Sequence, residues 1–162
     1  MPHSAWESRD VLLPHVTSYS DLDRFSYKGE VRDLVITSTD DFKRAVRHVA
    51  EQCFADGVIY FELRFNPYKP KLFNQADLSR RVIIEKVLRS AYEGLLEAEI
   101  WANEQLGKQH RAGMIFSLSR GTFLNKINEL KEIVEVLAEI KKAIDINIAE
   151  RMVGIDLAGP LE

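Results

Sequence analysis

Gly57-Val58-Ile59-Tyr60-Phe61-Glu62-Leu63-Arg64-Phe65-Asn66-Pro67 is the stretch on which the fold turns. Val58 to Phe65 is β-branched and aromatic, and Asn66-Pro67 closes it, so it reads as a strand. Side chains alternate along a strand. Ile59, Phe61, Leu63 and Phe65 therefore share one apolar face, and Tyr60, Glu62 and Arg64 share the other. Two later stretches repeat this pattern. In Arg111–Arg120, Met114, Phe116 and Leu118 oppose Ile115, Ser117 and Ser119. In Arg151–Ala158, Val153, Ile155 and Leu157 oppose Gly154, Asp156 and Ala158. Each strand thus has one apolar face and one that turns polar toward its C-terminal end.

Helical periodicity fills the intervals. Ser38-Thr39-Asp40-Asp41 supplies a cap and first-turn acids. Phe42, Ala45, Val46, Val49, Ala50, Cys53 and Phe54 then recur at helical spacing up to Gly57. A long helix is expected from Leu78 to Leu106, capped by Asp77 and ended by Gly107. Its stripe is Val82, Ile83, Val87, Leu88, Ala91, Leu95, Ala98 and Trp101, and Gly94 inside it permits close packing. A third helix is expected from Asn125 to Asp145, with Ile127, Leu130, Ile133, Val134, Leu137, Ile140 and Ile144 inside. Residues 1–37 read as largely irregular, apart from one helical turn at Asp21–Tyr27.

Strands alternating with helices imply parallel strands joined by right-handed crossovers. A doubly wound sheet lies under helices on both faces and needs both apolar. Here one face is polar near the strand C-termini, where a barrel builds its site. The expectation is an α/β fold: a partial (β/α)8 TIM barrel of three parallel strands, forming one incomplete domain over residues 1–162. No glycine-rich phosphate loop follows a strand.

Composition narrows the function. The chain has 162 residues, 22 Lys plus Arg against 25 Asp plus Glu, and a net charge of −3. A nucleic-acid partner needs a basic face, which this balance does not supply. No apolar run approaches the roughly 18 residues of a membrane span. The N-terminus lacks an apolar signal core. One cysteine, Cys53, leaves no internal disulfide and is expected in the core. A cytoplasmic protein follows as the default.

The inward-facing polar residues are Glu62, Arg64, Ser117 and Asp156. Glu62 and Arg64 are two residues apart on one face. Two readings stay open: a structural ion pair inside the barrel with Asp156 as third member, or acid/base and substrate contact. An adjacent Arg holds a Glu pKa low, which makes Glu62 a weak catalytic candidate. If the pair is fully buried, Arg64→Ala costs about 3–5 kcal/mol. The four histidines are His3, His15, His48 and His110. None forms His-x-His and none ends a strand, so each is expected at the surface or at an element boundary, and no metal site is assigned.

Three stretches carry a resemblance to the adenosine deaminase family. Asp56 to Pro67 resembles the family's second barrel strand, with its Gly-Val-x-Tyr-x-Glu-x-Arg-x-x-Pro pattern. Met114 to Arg120 is similar to the third strand, which ends in Arg. Val153 to Gly159 is similar to the fourth, with the Asp-Leu-Ala-Gly signature at Asp156–Gly159. The resemblance covers about residues 20–162. It implies a (β/α)8 barrel and zinc-dependent hydrolytic deamination of a purine nucleoside. It assigns Gly159 to contact with the substrate ring; Pro160 stands where the family commonly has Asp. The family's His-x-His-Leu-Asp motif, on its first strand, is absent from these residues, and so are its later strands. A barrel needs roughly 250 residues. The expectation is a truncated part of such an enzyme, inactive alone and holding no cofactor. The alternative is a non-catalytic binding or assembly module. The expected partners are a second copy or a complementing chain, and a purine nucleoside.

Overall fold

A computed structural model of the chain describes residues 36–69, 78–107, 109–119 and 127–158. The expectations for residues 1–35 and for Gly159 and Pro160 lie outside the described residues. Helix α1 (Thr39–Ala55) leads into strand β1 (Tyr60–Phe65). Helix α2 (Arg80–Leu106) leads into β2 (Arg111–Ser119). Helix α3 (Ile127–Ala143) and the short α4 (Ile146–Ala149) precede β3 (Met152–Ala158). The sheet order is β1-β2-β3, and both pairings are parallel. This is a partial (β/α)8 barrel, an arc of three strands with helices on its outer side.

Local chemistry sets the element ends. Ser38 Oγ accepts from the Asp41 amide at 3.1 Å and caps α1. The Asp41 carboxylate returns to the Thr37 amide at 3.3 Å and takes the Ser38 hydroxyl at 2.8 Å. Gly57, at φ +90°, makes the left-handed exit that a Cβ would strain. Ser79, rather than Asp77, caps α2, because its hydroxyl faces the Val82 amide at 3.4 Å. Gly107, at φ +65°, ends α2.

The core lies between the helices and one face of the sheet. Phe42, Val46, Ala50 and Phe54 of α1 pack beside Ile84, Val87, Leu88, Ala91 and Leu95 of α2. Phe65 meets Phe42 at 5.6 Å and Phe116 edge-on at 5.7 Å. Gly94 sits where α2 crosses α1: a Cβ there would stand 2.5 Å from the Lys43 carbonyl oxygen. Cys53 is half-buried rather than fully in the core. Val82, Ile127 and Val134, expected inside, are exposed on helix flanks.

The face assignment holds for β1 and β2. β3 differs at its start. Met152 pairs with Met114, and Gly154 pairs with Ile115, so Val153 is an extra residue in a bulge. Its methyl carbons lie 3.1 and 3.2 Å from the Cβ position of Gly113, on the inner face. Alternation alone places Val153 with Ile155 and Leu157 on the helix side, and the bulge turns it inward. Those two do lie on the helix side, but they remain 48% and 42% exposed.

Candidate functional site

The inner face of the sheet gathers the polar residues, because β1 and β3 flank β2 in register. Arg64 pairs with Ile115, and Ser117 with Asp156. The Arg64 side chain spans β2. Its Nη2 donates to Asp156 Oδ1 at 2.8 Å, and its Nε makes a second contact with Asp156 Oδ2. The structure therefore joins two of the four residues directly and sets Ser117 beside Asp156.

Glu62 stands apart from that pair. Residues two apart on an extended strand are separated by roughly two strand rises of ~3.3 Å each, and the guanidinium reaches across the sheet instead. Glu62 accepts from the Tyr60 hydroxyl at 3.0 Å. Burial, followed by the Glu62 carboxylate, raises the Tyr60 phenol above its ordinary pKa. That hydroxyl lies 3.1 Å from the Gly113 Cβ position, so Tyr60 and Val153 close over a glycine that leaves them room.

The Arg64–Asp156 pair is open to solvent, with side chains 52% and 33% exposed. This corrects the stability expected from full burial: solvent screening and side-chain entropy reduce such a pair to about 0–1 kcal/mol. A buried ion pair that strand alternation does not point to lies elsewhere. Arg151, just before β3, donates to Glu99 Oε2 at 2.7 Å through Nη2 and contacts Oε1 through Nη1. Their side chains are 11% and 7% exposed. Glu99 also accepts from the Ala112 amide at 2.7 Å, and Arg151 Nη1 donates to the Ala112 carbonyl at 2.9 Å. The Arg151 guanidinium lies 5.5 Å from the Tyr92 ring centre. The signal for it is positional: Glu99 lies four residues after Leu95 and three before Ala102, on the apolar stripe of α2.

His3 and His15 lie outside the described residues, and the two described histidines differ in environment. His48 is exposed on α1. His110 lies at the expected element boundary, just before β2, but is buried there, its ring packed 4.9 Å from that of Phe54. Its amide donates to Asn103 Oδ1 at 2.8 Å. It precedes β2 at the N-terminal end of the sheet, away from the polar ends of the strands.

These donors do not fit a catalytic zinc. Such a site takes three protein ligands, commonly imidazole nitrogens, around an open position. The strand C-termini here offer Asp156, Ser117 and Ser119, and the carboxylate is held by a guanidinium. Among the described residues no group of three or more His, Cys, Asp or Glu is placed to hold a metal ion. Among them, also, no helix is long and apolar enough to cross a membrane.

No curated protein matches the chain. The family model for adenosine deaminase matches residues 1–160, nearly the whole chain and all three strands. A parallel three-strand arc in the family's order, matched over that length, identifies the lineage: the chain belongs to the adenosine deaminase family.

Proposed function

We propose that this chain supplies scaffold strands of a purine-nucleoside deaminase barrel and has no deaminase activity of its own. The family's chemistry is zinc-dependent hydrolysis. The observation that carries the reading is the parallel β1-β2-β3 arc, whose third strand ends in Asp-Leu-Ala and which lies inside the stretch matched by the family model. There Arg64 binds the Asp156 carboxylate. The sequence adds that none of its four histidines forms a His-x-His pair. In this reading the Arg64–Asp156 contact braces β1 against β3, and Gly159, following Asp-Leu-Ala, contacts a purine ring when the nucleoside is present. The chain holds no cofactor of its own. Its setting is the cytoplasm, where a single cysteine stays a thiol.

Adenosine incubated with the purified chain and zinc tests the proposal by the ultraviolet change that accompanies deamination. The expected result is no turnover above the zinc-only control. Turnover with stoichiometric bound zinc overturns it. A second reading, a binding or assembly module, is favoured by the exposed apolar residues Ile155 and Leu157 on the outer side of β3. Its partners are a second copy or a complementing chain.

A further inference from the structure

Asp156 reaches the inner face because β3 carries one residue more than its pairing with β2 requires. Parallel partners share a face of the sheet. Met152 pairs with Met114, and both lie in the core on the helix side, 4% and 0% exposed. Three steps along β2 lead from Met114 to Ser117, and four along β3 lead from Met152 to Asp156, Ser117's partner. An unbroken ladder starting at Met152 would instead pair Asp156 with Leu118, which is buried on the helix side. A slip of one residue exchanges the two faces. The carboxylate would then enter the core, and Arg64 would lose its partner.

The start of β3 is held, so the surplus cannot be removed by sliding. The Arg151 carbonyl accepts from the Met114 amide at 2.7 Å. The Arg151 guanidinium binds Glu99 and the Ala112 carbonyl, and Lys141 Nζ donates to the Met152 carbonyl at 2.6 Å. Val153 therefore goes into the bulge. Its seat is the inner side of Gly113. The Val153 methyl carbons stand 3.1 and 3.2 Å from the place of a Gly113 Cβ, and the Tyr60 hydroxyl stands 3.1 Å from the same point. A side chain at that position would take the volume into which Val153 turns.

We propose that Gly113 is a positioning residue for Asp156. The space over it seats Val153, and the seated bulge turns the Asp156 carboxylate inward to Arg64. The proposal rests on the strand register and holds whether or not the chain turns over adenosine.

Cysteine cross-linking in a Cys53→Ala background reads the face that position 156 occupies. Ser117→Cys with Asp156→Cys closes a disulfide when 156 points inward, and Leu118→Cys with Asp156→Cys closes one when it points outward. With Gly113 and Val153 unchanged, only the first pair should close. Gly113→Val should abolish that closure. Deleting Val153 removes the surplus residue, so the deletion alone should leave the first bridge intact, and added to Gly113→Val it should restore the bridge. Circular dichroism follows the helical signal of each variant. If Gly113→Val prevents folding, the deletion should restore both the helical signal and the bridge. A first bridge that survives Gly113→Val unchanged overturns the proposal. So does a Val153 deletion that loses the bridge, or one that fails to rescue Gly113→Val. None of these arms reads adenosine turnover, which tests the functional reading separately.

Discussion

Replacing Arg151 with Ala strands a carboxylate inside the protein. Glu99 is 7% exposed and has two strong partners, the Arg151 guanidinium and the Ala112 amide at 2.7 Å. The substitution removes the guanidinium, its bond to the Ala112 carbonyl and its packing on Tyr92. Breaking a buried pair from one side costs about 3–5 kcal/mol, because the remaining charge is left unpaired. A natural domain holds about 5–15 kcal/mol in total, so the loss should be visible as a large fall in the urea midpoint. Arg64→Ala is the matched control. It also breaks an Arg–carboxylate contact between distant parts of the chain, but at 52% and 33% exposure that contact should cost no more than about 1 kcal/mol. Adding Glu99→Leu to Arg151→Ala should recover part of the loss by removing the stranded charge. Equal costs for Arg151→Ala and Arg64→Ala, or no recovery in the double variant, would refute the argument that burial separates the two pairs.

Three further outcomes follow from the same structure. Gly94→Ala should destabilise by about 1–3 kcal/mol in chemical denaturation: the gain of roughly 1 kcal/mol in helix propensity is outweighed where the new Cβ meets the Lys43 carbonyl at 2.5 Å. Ser38→Ala should cost about 1 kcal/mol and lower the helical signal, since the Asp41 amide loses its cap. Acid should weaken the fold as well. Bonds from Ser38, Arg44 and Thr37 hold the Asp41 carboxyl well below the usual range, and Lys43 lowers Glu97. Their stabilisation is present above the ordinary carboxylate pKa values of about 4 and is lost as pH falls through the lower folded values. Tm should therefore drop below about pH 4, and Asp41→Asn should reduce that slope.

Elements with strong local chemistry were legible from the sequence. Alternation exposed three strands, and Ser38, Gly57 and Gly107 marked helix ends by capping and positive φ. The C-terminal polar residues of β1 and β3 could be placed on one face because parallel register preserves alternation. Three features depended on geometry that spacing does not encode. The Val153 bulge interrupts the alternation of β3. The burial of His110 comes from Phe54, far away in sequence. The solvent exposure of Arg64 and Asp156 depends on what lies over the inner face, which strand patterning leaves open.

β2 and β3 are parallel neighbours whose inner faces set Ser117 beside Asp156. Cysteine cross-linking reads out that register. In a Cys53→Ala background, Ser117→Cys with Asp156→Cys should oxidise readily to an intramolecular disulfide, since the two are partners in register on one face. Ser117→Cys with Leu157→Cys should not, because Leu157 points to the opposite face. Cross-linking of the second pair in preference to the first would contradict the register and the barrel arc built on it.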